Sequence, residues 1–224
     1  MTTISSPSRT IELGDGLPFC VIGERADDTA DALDLQLGPE PAEAVLQARR
    51  TTALPFSLDS ADPEALAAAL AVYEGRALVN SASAEPEQMH AVLALVRRHG
   101  AAVIALPYDG RIPATAAERL GLARRILEAA EAHGIARDDV VVDALALPLA
   151  TDPSRGRTTL ETIRAIRAEL GVGSVLGLSN LGYGRGAEQA AFLAEARAAG
   201  LSAAIMDTRS AAALAVARDP KEQG

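Results

Sequence analysis

The chain has 224 residues, 49% of them hydrophobic, with 21 basic against 30 acidic side chains and a net charge of −9. That length and apolar content suit one large core, and the acidic balance repels phosphate backbones, which argues against a nucleic-acid partner. Aromatics make up only 3%, with no Trp, so the interior must be built from Ala, Leu, Val and Ile, and stacking platforms for single strands are scarce.

No stretch approaches the ~20 apolar residues of a membrane helix, and Met1–Thr10 lacks an apolar signal core. The expectation is a cytoplasmic, enzyme-sized domain with no membrane partner. The single cysteine, Cys20, lies inside an apolar run and reads as a small buried hydrophobe.

In chain order, residues 1–17 read as a flexible, polar N-terminal segment. The first core strand is expected near Phe19–Gly23 and the second near Ala32–Leu37, closed by Gly38-Pro39. A helix follows from Pro41 to Arg50, with proline in its first turn. Pro55–Asp59 is the third strand. Asp62-Pro63 then opens a helix to Tyr73, with Asp62 as N-cap. Ala77–Ser81 is a strand, and Pro86–Arg98 a helix stopped at Gly100. Strand Ala102–Pro107 precedes the longest helix, Thr115–His133, which Gly134 stops. Strand Val140–Leu145, helix Thr158–Leu170, strand Ser174–Asn180, helix Ala187–Ala199, strand Ala203–Asp207 and helix Ala211–Arg218 complete the series. Residues 219–224 read as a loose tail.

Eight strands at spacings suited to parallel βα units predict an α/β fold, a (β/α)8 TIM barrel over residues 18–218. One link is too short. About nine residues join the first two barrel strands, where a parallel crossover needs a dozen or more. The first crossover helix is therefore expected to be short or missing. That would leave the barrel open, distort it, or require another chain to cover the gap, as in a homodimer.

The apolar runs share one ending. Asp59, Asn80, Asp143, Asn180 and Asp207 each close a strand. Any one of them is a common turn residue, but together they place a polar set at the mouth of a barrel, where such folds do their chemistry. Carboxylates accept hydrogen bonds and amides both donate and accept. With no Lys, Arg or His at those positions, the set suits a flat heterocycle rich in N–H donors, such as a pterin, better than a phosphate. A divalent metal on Asp59, Asp143 and Asp207 is a second option, although the amides among them and the distances between strands favour no metal. His90, His99 and His133 fall in or at the ends of helices, and Ser179 lacks the context of a serine nucleophile. Gly182-Tyr183-Gly184-Arg185-Gly186 follows the seventh barrel strand as a loop, with Arg185 its one basic residue.

The runs Val21-Ile-Gly-Glu-Arg25, Leu33-Asp-Leu-Gln-Leu-Gly-Pro39, Ser57-Leu-Asp-Ser60, Val79-Asn-Ser-Ala-Ser-Ala-Glu85, Val142-Asp-Ala-Leu-Ala-Leu-Pro148 and Val175-Leu-Gly-Leu-Ser-Asn180 resemble the methyltetrahydrofolate:corrinoid methyltransferases. Those are pterin-binding barrels akin to dihydropteroate synthase and to the folate module of cobalamin-dependent methionine synthase. The resemblance implies transfer of the N5 methyl of methyltetrahydrofolate to the cobalt of a cobalamin or other corrinoid carried by a partner protein. It further implies that Asp59, Asn80 and Asp143 hold the pterin, with Ser179 and Arg185 as additional substrate contacts. Asn180 would be the catalytic residue, beside N5.

The chain also departs from that family. Ala26-Asp27 follows Gly-Glu-Arg where the family has Asn, Ala144 follows Asp143 where it has Pro, and the loop after Asn180 is short. These differences keep a second reading open, a folate-binding homologue or subunit without turnover. Dihydropteroate synthase itself is a third, disfavoured by the lack of basic residues for a pyrophosphate.

Overall fold

The computed structural model describes residues 1–148, 154–182 and 186–220. Eight parallel strands close into a barrel in the order β10-β3-β4-β5-β6-β7-β8-β9. They are β3 (Cys20–Gly23), β4 (Ala32–Gln36), β5 (Phe56–Asp59), β6 (Leu78–Ser83), β7 (Ala102–Leu106), β8 (Val140–Asp143), β9 (Ser174–Gly177) and β10 (Ala203–Met206). Around them lie α1 (Pro41–Thr51), α2 (Pro63–Val72), α3 (Pro86–His99), α4 (Ala116–Ala132), α5 (Ser154–Ala165), α6 (Gly186–Ala198) and α7 (Ala211–Ala217). The (β/α)8 reading is correct.

The helix ends follow local chemistry. Asp62 accepts from the Glu64 amide and Pro63 takes the first turn of α2. Thr115 and Glu118 form a reciprocal capping box at the start of α4. Gly100 at φ 62° ends α3 in the left-handed region that other residues avoid. Between the helices and the barrel lies the larger apolar layer, including Phe56, Leu58, Leu66, Leu93, Ile126 and Ile163.

The N-terminal segment differs from expectation. Thr2–Ser5 (β1) and Thr10–Leu13 (β2) form an antiparallel hairpin. Ile4 and Leu13 point into the barrel interior, beside Ile22, Leu78, Ile104 and Val175, and close its lower end. The hairpin is tied down by polar groups. The Tyr73 hydroxyl donates to Ser5 O at 2.9 Å, and Ser6 Oγ donates to Ala53 O at 2.7 Å. Burying two branched side chains supplies the free energy that orders an otherwise polar segment.

The short link is also resolved without a helix. β3 and β4 pair only at Ile22–Ala32 and Gly23–Leu33, yet the ring is closed. Residues 24–31 form a compact turn in place of the crossover helix. Ala30 is buried within it, and a Cβ at Gly23 would sit 2.8 Å from the Ala30 Cβ, so the approach requires glycine. Asp31 accepts from Val21 N at 2.8 Å and from Arg218 at 2.8 Å, and pairs with Arg9 at 3.4 Å. Asp27 accepts from Thr208 and Thr29. Two carboxylates thus stitch the hairpin, α7 and the turn together, and closure needs no second chain. No described helix is long and apolar enough to cross a membrane.

Candidate functional site

The C-terminal ends of the strands open into a cavity of about 1390 Å³. Asp59 and Asn80 are direct neighbours across β5 and β6. Asp143 ends β8, and Ser179 and Asn180 follow β9; all five line the cavity. The structure therefore brings together every predicted site residue that it describes. Arg185 lies outside the described residues.

Asn180 does not end a strand as expected. β9 stops at Gly177, and Leu178–Leu181 turn as a 3-10 helix. The turn folds the Asn180 amide back onto the strand end, where a Cβ at position 177 would lie 2.6 Å from its Nδ2. Glycine at 177 is what lets the amide sit there. Among the described residues the exposed Asn180 amide makes no hydrogen bond, so its donor and acceptor are free for a ligand.

Sequence reasoning missed Asp34. It lies on β4, 9% exposed, and accepts from Asn80 Nδ2 at 3.3 Å. Burial pushes its carboxyl up to about 6, with the nearby Asp59 charge acting in the same direction. The buried Ser57 hydroxyl and the Asn80 amide pull the other way, favouring the charged form. The signal was a carboxylate inside an apolar strand, not at its end. Burial also raises Asp59, opposed by a hydrogen bond from Gln36. Asp143 is raised to about 6 by burial, against the pull of the Leu145 amide and the Arg119 charge. Three carboxylates whose charge burial disfavours line one cavity, the pattern of a candidate functional site.

The far wall is held by α3. Gln88 accepts from Ser83 N at 2.7 Å and donates to Ser81 O at 2.9 Å. It thereby satisfies the end of β6 where the register shifts and the Asn80–Ser81 peptide is cis. Asp207 is turned away. Its carboxylate takes a two-pronged hydrogen bond from Arg209, at 2.6–3.0 Å, and is absent from the cavity lining. It is not positioned to share a metal with Asp59 and Asp143, and among the described residues no three metal-binding side chains cluster. Cys20 is buried, and its thiol is pushed well above the usual range by that burial.

The sequence profile described as Pterin binding enzyme matches residues 24–216. The chain belongs to the pterin-binding enzyme family. Among its relatives, a methionine synthase of Mycobacterium tuberculosis is 35% identical over 77% of this chain, which spans 16% of that protein. A methylcorrinoid:tetrahydrofolate methyltransferase of Eubacterium limosum is 28% identical over 70% of this chain and 60% of its own length. The chain thus spans only part of each curated relative. Among solved structures, a dihydropteroate synthase from Stenotrophomonas maltophilia superposes with a TM-score of 0.71 at 19% identity, over 97% of this chain and 96% of that one. One from Xanthomonas albilineans has the same TM-score and identity over 96% of each. At that identity these likenesses speak for the fold of this pterin-binding enzyme.

Proposed function

We propose that this pterin-binding enzyme transfers a methyl group between N5 of methyltetrahydrofolate and the cobalt of a corrinoid carried by a partner protein. The observation that carries the reading is the composition of the mouth: Asp34, Asp59, Asn80 and Asp143 face one cavity beside a free Asn180 amide. A pterin presents ring N–H and amino donors together with one carbonyl, and this set supplies the matching acceptors and one amide donor. Asp59, Asn80 and Asp143 hold the ring edge, and Ser179 supplies a hydroxyl at its rim. In this reading Asn180 lies beside N5. Its carbonyl accepts from N5 once that atom is protonated, an interaction that strengthens as positive charge develops. The fixed ring keeps the methyl aimed out of the mouth, toward the acceptor. The corrinoid's reduced cobalt supplies the nucleophile, and this chain supplies binding and orientation.

A second reading, folate binding without turnover, is favoured by one observation: the turn at residues 24–31 replaces a helix beside the mouth, and Glu24, Arg25 and Ala26 of that turn line the cavity. Dihydropteroate synthesis is disfavoured by the acidic lining, which suits a pyrophosphate poorly. An anaerobic assay with methyltetrahydrofolate and cob(I)alamin separates the readings. Methyl transfer that Asn180→Ala slows far more than it weakens binding supports the first. Folate binding with no transfer supports the second, and no folate binding at all rejects both.

A further inference from the structure

Helix α4 carries an anomaly. Arg119 occupies the same inward stripe as Ala123, Ile126 and Ala130, and is 1% exposed. An arginine buried there must have its donors satisfied, or it would cost several kcal/mol. Its Nη1 donates to Ala144 O at 2.8 Å, to Leu145 O at 3.0 Å and to Thr159 Oγ1 at 3.2 Å. Its Nε reaches Pro113 O at 3.5 Å. The side chain therefore ties together α4, the loop after β7, the end of β8 and α5.

The backbone it grips is the one that aims Asp143. Leu145 has φ 58°, a left-handed conformation that a branched residue with a Cβ adopts only when its surroundings impose it. Three interactions impose it. Arg119 and the Thr159 hydroxyl both donate to Leu145 O, the latter at 2.9 Å, and Leu145 N donates to Asp143 Oδ1 at 2.7 Å. One carboxylate oxygen is thereby anchored. The other has no partner among the described residues and belongs to a side chain that lines the cavity.

We propose that Arg119 is a positioning residue: by holding the Ala144 and Leu145 carbonyls it fixes the turn that presents the free oxygen of Asp143 to a ring N–H of the bound ligand. The identity of that ligand rests on the pterin reading; the latch itself does not. The Arg119 charge also favours the ionised form of Asp143, while the carboxylates of Asp34 and Asp59 line the same cavity. Losing the guanidinium removes both the grip and the charge.

The test compares Arg119→Met and Arg119→Lys with wild type. Two measurements use ligand-free protein: the Asp143 carboxyl titration by carbon NMR, and the Leu145 amide resonance. A third is the methyltetrahydrofolate Kd. In Arg119→Met the Leu145 amide should move, the Asp143 midpoint should rise, and Kd should weaken about 10–100-fold, as for loss of a charge-assisted hydrogen-bonded support. Arg119→Lys restores the charge but not the fork, so the midpoint should return while Kd stays about tenfold weak. A purely structural role would lower the melting temperature and leave the Asp143 midpoint, the Leu145 amide and Kd unchanged, which overturns the proposal. If Arg119→Met does not fold, Arg119→Lys decides: an unmoved Leu145 amide with wild-type Kd is a refutation. If wild type fails to bind methyltetrahydrofolate, the functional reading falls, and the ligand-free measurements still decide the latch.

Discussion

The two ends of this barrel are built on opposite terms. At the lower end the β1–β2 hairpin presses Ile4 and Leu13 into a ring of Ile22, Leu78, Ile104 and Val175, and the surrounding polar groups are paired with backbone. At the upper end Asp34, Asp59 and Asp143 are held where burial disfavours their charge, and the Asn180 amide stands without a partner. One end contributes stability; the other holds carboxylates against their charge and leaves the Asn180 amide unpaired. The contrast shows why the mouth can vary its chemistry without unfolding the barrel.

The sharpest way to break the contrast is at the plug. Leu13→Ala should lower unfolding free energy by about 2–5 kcal/mol, as for a fully buried leucine, with folate affinity of the folded protein preserved. Urea denaturation with parallel binding titration checks this. At the mouth the pattern should invert. Asp34→Asn should raise ligand-free stability at pH 7.5 by on the order of 1–3 kcal/mol while weakening folate binding.

That inversion has a pH signature. Folded Asp34 keeps its proton to about 6, whereas the unfolded chain releases it near 3.8. Asp143 behaves the same way. Between those limits the folded state binds more protons, so stability falls as pH rises from about 4 to 6 and stays lower above. His99, lowered by burial, works against this near the upper end of the window. The melting temperature of ligand-free protein should therefore be higher at pH 5 than at pH 7.5, and the double variant Asp34→Asn/Asp143→Asn should lose most of the difference. A rising melting temperature over that interval in wild type would contradict the assignment of these two carboxyls. The smallest effect is expected where the crossover helix was replaced. Thr208→Val removes one hydrogen bond to half-buried Asp27 and should cost about 0.5–1.5 kcal/mol. Thermal unfolding resolves that loss, and a much larger one would mean the turn governs barrel closure.

Much of this was legible before any coordinates. The eight apolar runs, the Pro starts of α1, α2 and α3, and the Gly100 stop are consequences of near-neighbour chemistry, and strand and helix positions agree to within a few residues. Asp59, Asn80 and Asp143 were readable because a polar residue ending an apolar strand is a local pattern. The hairpin was less so. Ile4, Ile11 and Leu13 alternate with polar residues around Ser-Pro-Ser, but so short a hairpin is stable only once the barrel gives its apolar face somewhere to go. Asp34 was hidden inside a strand, and its role depends on Asn80, 46 residues away.

By itself, then, the sequence determined the order of elements and the acidic character of the mouth, since both depend on periodicity and on which residue ends each run. Tertiary structure alone decided three things: that a stitched turn closes the ring in place of a helix, that β9 stops at Gly177 so the Asn180 amide folds inward, and that Arg119 grips the backbone behind Asp143. Each depends on groups far apart in the chain meeting at hydrogen-bond distance, and a local pattern of residues carries no record of that separation.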